Sequence, residues 1–238
     1  MDRAQQIADG LERVRERIAR AEQDAGRPAG SVRLIAVSKK MPADDIRAAL
    51  AAGQRAFGEN YAQELRDKLA LLAEDRTSLT LATLPPPEWH FIGPLQSNKL
   101  KYVAGRVALL HSVDSEALLD AVEARGVSQA CLIQVNVAGE QQKRGVSPHD
   151  LPALLDRFAS MKWARCEGLM LIPPLGEAAP HFEALRALRD REATRARPNV
   201  VLRELSMGMS DDLEVAVAHG ATIVRVGTAI FGARPVAR

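Results

Sequence analysis

Lys39 closes the apolar run Val32-Arg33-Leu34-Ile35-Ala36-Val37-Ser38-Lys39. If the run is a strand, alternation places Arg33, Ile35, Val37 and Lys39 on one face. An amine held at a strand end and partly withdrawn from water has a lowered pKa and attacks carbonyl carbons. The same pattern describes a lysine that ends a strand and carries its ammonium out to water, and this segment alone favours that plainer reading. Near the other end of the chain, Arg225 stands inside the apolar run Thr222-Ile223-Val224-Arg225-Val226. A guanidinium in such a run needs a partner, and a buried carboxylate or a ligand would serve about equally well.

Two segments offer anion cradles. Gly227-Thr228 opens a short helical pattern that ends at Gly232, and Ser206-Met207-Gly208-Met209-Ser210-Asp211-Asp212 follows an apolar run. Small residues opening a helix present backbone N–H groups to an anion. Turn chemistry with Ser210 or Asp211 as a cap explains either segment alone. Gly227–Gly232 is not a P-loop, because Ala233 stands where its lysine belongs. Asn60 either hydrogen-bonds a ligand or caps a helix starting at Tyr61. His90 reads as a satisfied core histidine, and Lys143 as a solvated loop lysine able to attract a second anionic ligand. The five histidines lack metal-ligand spacing, and the two cysteines, Cys131 and Cys166, sit in apolar runs as buried thiols. The absence of a Gly-x-Ser-x-Gly elbow disfavours a serine hydrolase.

Strands and helices must alternate to position these groups. Strands are expected at Arg33–Ser38, Ala56–Phe57 with its flanks, Trp89–Ile92, Val107–Ser112, Ala130–Val137, Glu167–Ile172, Val201–Leu205 and Thr222–Val226. Helical patterns fall at Ala43–Ala52, Tyr61–Leu72, Ser97–Val103, Ser115–Ala124, Pro148–Ser160, Glu177–Ala196 and Asp211–His219, after an N-terminal helix over Arg3–Ala25 with Ile7, Leu11, Val14 and Ile18 on one stripe. Eight strands alternating with helices predict one α/β domain over residues 1–238, a closed (β/α)₈ TIM-type barrel with an extra N-terminal helix. An open doubly wound sheet is the alternative, weakened because no dinucleotide glycine fingerprint follows the first strand. In a closed barrel the last strand pairs with the first, so Arg225 and Lys39 face one pocket. The loops after strands seven and eight are then the recurrent phosphate site. Residues 74–88, with Pro85-Pro86-Pro87, read as a surface loop.

Across 238 residues the formal net charge is +2, with 47% hydrophobic and 26% charged residues. Scattered charges give no basic face for nucleic acid, and no apolar run spans a bilayer or forms a signal-peptide core. A cytoplasmic location is the expectation.

The ordered segments Ala36-Val37-Ser38-Lys39, Phe57-Gly58-Glu59-Asn60-Tyr61-Ala62-Gln63-Glu64, Trp89-His90-Phe91-Ile92-Gly93-Pro94-Leu95-Gln96-Ser97-Asn98-Lys99, Gly168-Leu169-Met170, Leu205-Ser206-Met207-Gly208-Met209-Ser210-Asp211-Asp212 and Val224-Arg225-Val226-Gly227-Thr228-Ala229-Ile230-Phe231-Gly232 closely resemble the pyridoxal phosphate homeostasis protein family over nearly the whole chain. That family looks like the barrel domain of alanine racemase standing alone, a fold-type III barrel for pyridoxal 5′-phosphate (PLP). The resemblance implies that Lys39 forms a Schiff base with PLP. Ser206, Gly208, Gly227 and Thr228 would hold the phosphate, Arg225 would face the pyridine nitrogen, and Asn60 and Met170 would line the cofactor. Lys143 falls in a loop where family members often carry a lysine implicated in PLP exchange. Many bacterial members read Lys-Thr-Lys-Pro where this chain has Lys39-Lys40-Met41-Pro42, so the side chain of Lys40 should leave in another direction. The implied function is intracellular PLP homeostasis, with delivery to PLP-dependent apo-enzymes. The alternative is a low-activity amino acid racemase. Alanine racemases draw their second base, a tyrosine, from a separate domain across a dimer. The chain stops six residues after Gly232, which is too soon for that domain, so a monomer is expected. The residues alone also suit a barrel enzyme for a phosphorylated sugar, with Lys39 as an aldolase-type lysine.

Overall fold

The computed structural model describes residues 2–75, 85–140, 142–174, 176 and 178–232. Of the expected features, positions 76–84 of the surface loop, Gln141, the helix-opening Glu177 and Ala233 lie outside the described residues.

Eight parallel strands close into a barrel in sequential order: β1 (Arg33–Val37), β2 (Ala56–Glu59), β3 (Glu88–Phe91), β4 (Leu109–Val113), β5 (Gln129–Gln134), β6 (Ala164–Met170), β7 (Val200–Ser206) and β8 (Ile223–Val226). Closure occurs where β8 pairs with β1, opposing Ile35 and Arg225. The helices are α1 (Arg3–Asp24), α2 (Ala43–Ala51), α3 (Ala62–Asp75), α4 (Glu116–Glu123), α5 (Leu151–Ala159), α6 (Ala179–Ala193), α7 (Leu213–Ala218) and α8 (Thr228–Phe231). The helix expected at Ser97–Val103 is instead a 3₁₀ segment, Ser97–Tyr102. β1 ends at Val37, so Lys39 stands in the turn beyond the strand.

Both faces of the sheet are buried, and successive side chains of a strand enter different clusters, as Ala130 and Leu132 do on one side and Cys131 and Ile133 on the other. One buried cluster fills the barrel interior with Ile35, Ala56, Leu109, Ala130, Leu132, Met170 and Ile223. A larger one lies between sheet and helices, and includes Cys131 and Cys166, whose thiols are both fully buried. Desolvation pushes both thiols up, Cys166 to about 12, which keeps them protonated and inert. The apolar stripe of α1, Ile7, Leu11, Val14 and Ile18, is buried, and α1 packs on α8, α2 and α7. Arg17 binds both Glu214 carboxylate oxygens at 2.6 and 2.8 Å. Arg3 donates to Asp45 and, at 3.0 Å, to the Phe231 carbonyl. The first helix therefore clamps the last.

Gly168 on β6 permits the closest backbone approach in the sheet: a Cβ there would fall 2.0 Å from the Glu204 carbonyl oxygen on β7. We expect Gly168→Ala to destabilise the fold by about 3 kcal/mol, the upper end for forced overpacking. Urea denaturation checks this, and an unchanged midpoint would show that β6 and β7 part without cost.

Candidate active site

The C-terminal ends of the strands surround a cavity of about 240 Å³ lined by Val37, Lys39, Asn60, Ile92, Ile172, Met209, Ser210, Asp211, Arg225, Gly227 and Thr228. Lys39, Asn60, Arg225, Gly227 and Thr228 thus meet in one place, from three segments: the turns after β1 and β2, and the end of β8 with the start of α8. Ser206 and Met170 are fully buried and do not line the cavity. Met170 belongs to the interior layer beneath it, and Ser206 touches Arg225. Gly208 contributes its carbonyl, which accepts the Arg225 backbone N–H at 2.9 Å.

The turn carrying Lys39 is held by charges behind it. Lys68 on α3 is buried, and its Nζ donates to the Ser38 carbonyl (2.7 Å), Glu59 Oε1 (2.6 Å) and Glu64 Oε1 (2.7 Å). The Ser38 hydroxyl donates to the same Glu59 oxygen at 2.6 Å, and the Lys40 N–H to Glu64 Oε1 at 2.6 Å. The backbone on both sides of Lys39 is therefore tied to one ammonium and two carboxylates. Burial pushes the Glu59 carboxyl above its ordinary range, and the Lys68 charge opposes that push. Lys40, at φ 62°, is exposed and places its ammonium 5.9 Å from the Tyr61 ring centroid, apart from the cavity that Lys39 lines.

Arg225 has no carboxylate in ion-pair range among the described residues. Its Nη1 donates to Ser206 Oγ at 2.7 Å and its Nη2 to the Leu171 carbonyl at 2.9 Å. The buried ion pair that the sequence left open is thus not what Arg225 makes. Desolvation lowers its pKa to about 10, partly offset by the more distant Asp212, so the guanidinium is charged at neutral pH. Behind it lie two fully buried histidines: His111 Nδ1 is 2.9 Å from Ser206 Oγ, His111 Nε2 is 3.0 Å from His90 Nδ1, and His90 Nε2 is 2.9 Å from Glu88 Oε1.

Asn60 Oδ1 is buried without a hydrogen-bond partner among the described residues, an acceptor aimed at a site that Asn60 lines. Gly93 backs it so closely that a Cβ there would sit 2.3 Å from the Asn60 carbonyl oxygen. α8 is a single turn and α7 is six residues long, so neither supplies the large helix dipole that the sequence suggested. What Gly227 and Thr228 offer is the start of α8, since its backbone hydrogen bonding begins only at Ile230 and Phe231, which donate to the Gly227 carbonyl. Lys143 lines a neighbouring cavity of about 260 Å³ that shares Asn60, Ile92 and Ile172, and it pairs with Glu140 at 2.6 Å. Neither of the two tyrosines, Tyr61 and Tyr102, lines the cavity that holds Lys39.

Sequence reading missed the Glu59–Lys68–Glu64 cluster, although Glu64 and Lys68 stand four apart on a helix, the spacing of an ion pair. It also missed the pairing of His90 with His111, which needed the β3–β4 register to become visible.

Residues 10–235 match the family described as alanine racemase, N-terminal domain. The pyridoxal phosphate homeostasis protein of Pseudomonas aeruginosa is 44% identical over 234 residues, covering 96% of each chain. That of Aquifex aeolicus is 43% identical over 232 residues, covering 94% of this chain and 96% of the other. Among solved structures, PipY of Synechococcus elongatus with PLP bound superposes with a TM-score of 0.78 at 38% identity, covering 95% of this chain and all of that one. On fold, motifs and near-complete coverage, this chain belongs to the pyridoxal phosphate homeostasis proteins, within the alanine racemase N-terminal domain family.

Proposed function

We propose that this chain, as one binding unit in the cytoplasm, holds PLP reversibly in the cavity lined by Lys39 and Arg225. The observation that carries this reading is the pairing of a half-buried amine with a buried guanidinium and an unsatisfied Asn60 acceptor in one cavity. When bound, PLP supplies an aldehyde that condenses reversibly with an amine, losing water, and a ring that can accept electrons. Lys39 provides the amine for this Schiff base, and the ion cluster around Lys68 fixes the turn from which it reaches. Asn60 Oδ1 accepts from a ligand hydroxyl. Gly227, Thr228 and Ser210 face the end where a phosphate would sit, with the Ser206–Gly208 strand end behind them. Arg225 offers donors, not acceptors, so it cannot hold a proton between itself and a pyridine nitrogen. That weakens carbanion chemistry.

Neither Tyr61 nor Tyr102 lines the cavity that holds Lys39, so the reading is a carrier rather than a racemase. Ile172 and Met209, exposed apolar side chains on the cavity rim, leave a route for release toward apo-enzymes. A low-activity racemase is the competing reading, and α-proton exchange of amino acids in deuterated water separates the two. Rapid exchange would favour catalysis.

Three outcomes follow from these roles. Lys39→Ala should abolish the visible absorbance of protein reconstituted with PLP; an unchanged band, with borohydride labelling another lysine, overturns the assignment. Arg225→Ala should weaken PLP retention by at least about tenfold, the loss of charged hydrogen bonds, while circular dichroism shows an intact barrel. Wholesale unfolding would make Arg225 a structural residue instead. Lys68→Met should cost about 3 kcal/mol by leaving Glu59 buried without its counter-ion, and adding Glu59→Gln should recover much of that loss. Equal denaturation midpoints for the single and double variants would refute the coupling.

A further inference from the structure

With Glu88 ionised and both imidazoles neutral, the hydrogen bonds behind Arg225 form a chain through the barrel with one consistent set of proton positions. Arg225 donates to Ser206 Oγ at 2.7 Å, and in that set the Ser206 proton points to its other neighbour, His111 Nδ1, at 2.9 Å. That nitrogen is then an acceptor, and the His111 proton sits on Nε2 and points to His90 Nδ1 at 3.0 Å. The His90 proton in turn sits on Nε2 and points to the Glu88 carboxylate at 2.9 Å. Both rings are neutral in this arrangement, and every proton points from the pocket toward Glu88. Glu88 opens β3 at the opposite mouth, where its side chain is 46% exposed. Burial holds His111 far below the ordinary histidine range, and the His90 hydrogen bond holds Glu88 below the ordinary carboxylate range.

The charged groups facing the chain are few. Arg33 of β1 lies 3.6 Å from Glu88 and 3.9 Å from Glu204 of β7, and Arg225 closes the upper end. The inward residues of β2, β5 and β6 beside it, Ala56, Ala130, Leu132 and Met170, carry no charge.

We propose that His90 and His111 are positioning residues that set the polarity of Ser206 toward Arg225, linking the grip of the pocket on its ligand to the ionisation of Glu88 at the far end of the barrel. The reason is directional. While Glu88 demands a donor, Ser206 is committed as a donor to His111, and its lone pairs are left for Arg225. Removing that demand lets both rings adopt the reverse tautomer. Ser206 Oγ then accepts from His111 Nδ1 as well, and Arg225 meets a competing donor at that oxygen. The coupling to a bound ligand rests on the PLP reading above; the proton arrangement itself does not.

The test therefore has two arms on the full chain. In the ligand-free protein, nitrogen-15 NMR of the histidine rings should show both His90 and His111 as Nε2–H tautomers; a Nδ1–H tautomer at either ring overturns the relay whether or not PLP binds. In protein reconstituted with PLP, Glu88→Gln should shift the pH midpoint of the visible band and hasten PLP release, although residue 88 lies at the opposite mouth. His111→Phe should lower PLP retention by about tenfold, with His111→Gln, which can accept from Ser206 and donate to His90, restoring most of it. A band, pH profile and release rate in Glu88→Gln identical to wild type would overturn the coupling. So would equal retention in the Phe and Gln variants. A wild-type protein that shows the expected tautomers yet gains no band with excess PLP would sink the binding reading, and the coupling with it, while leaving the relay standing.

Discussion

A guanidinium buried without a carboxylate is the constraint around which the barrel mouth is arranged. Isolated charge in an apolar interior is expensive, and the cost is tolerable only when strong acceptors are fixed nearby. Arg225 finds two, the Leu171 carbonyl after β6 and the Ser206 hydroxyl ending β7, while its own N–H binds Gly208. Three consecutive strand ends are therefore pinned by one side chain. None of these partners cancels its charge, so positive potential persists beside the cavity at neutral pH. An interior ion pair would have been electrically silent, whereas this arrangement keeps the site attractive to an electron-rich ring or an anion.

The opposite wall solves a different problem. A lysine in a turn has many rotamers and a mobile backbone, and capture of an aldehyde benefits from an amine whose approach is already limited. The ammonium of Lys68 grips the Ser38 carbonyl and both carboxylates, and Glu64 grips the Lys40 amide. The rigidity comes from side chains of β2 and α3 that never enter the cavity. Arg225 and Lys39 are thus both supported from behind, one by neutral acceptors and one by compensated charge, and the difference suits their tasks. The first stays charged at neutral pH, and the Schiff-base role proposed for the second requires it to lose a proton.

Much of this was legible in the sequence because periodicity carries it. Eight apolar runs alternating with helical patterns predicted the closed barrel, and alternation within the first and last runs placed Arg225 with Lys39. Boundaries moved where a turn competes with the ladder. β1 stops at Val37 because the following backbone is claimed by Lys68 and Glu64, and the segment at Ser97–Tyr102 winds as a 3₁₀ helix. Long-range side-chain partners were not legible. Ser206 pairs with His111 across 95 residues, and Lys68 reaches Ser38 across 30. Neither separation has a local signature, since only strand register brings such groups together. The helix-dipole argument at the phosphate end failed for a similar reason, because a pattern that begins like a helix does not reveal how soon it ends.

The docking of α1 on α8 has a consequence for biosynthesis. Arg3 bonds to the Phe231 carbonyl across 228 residues, and the seam between β1 and β8 lies beneath that contact. During translation the leading helix emerges long before the surface it covers. Until the final strand leaves the ribosome, β1 has one edge unpaired and the apolar stripe of α1 has α2 and α7 but not α8 to rest on. Arg225 arrives on that same last strand, so ring closure and completion of the cavity proposed to take PLP coincide. A nascent chain can fold most of its helices and still be unable to take up a vitamin-derived aldehyde.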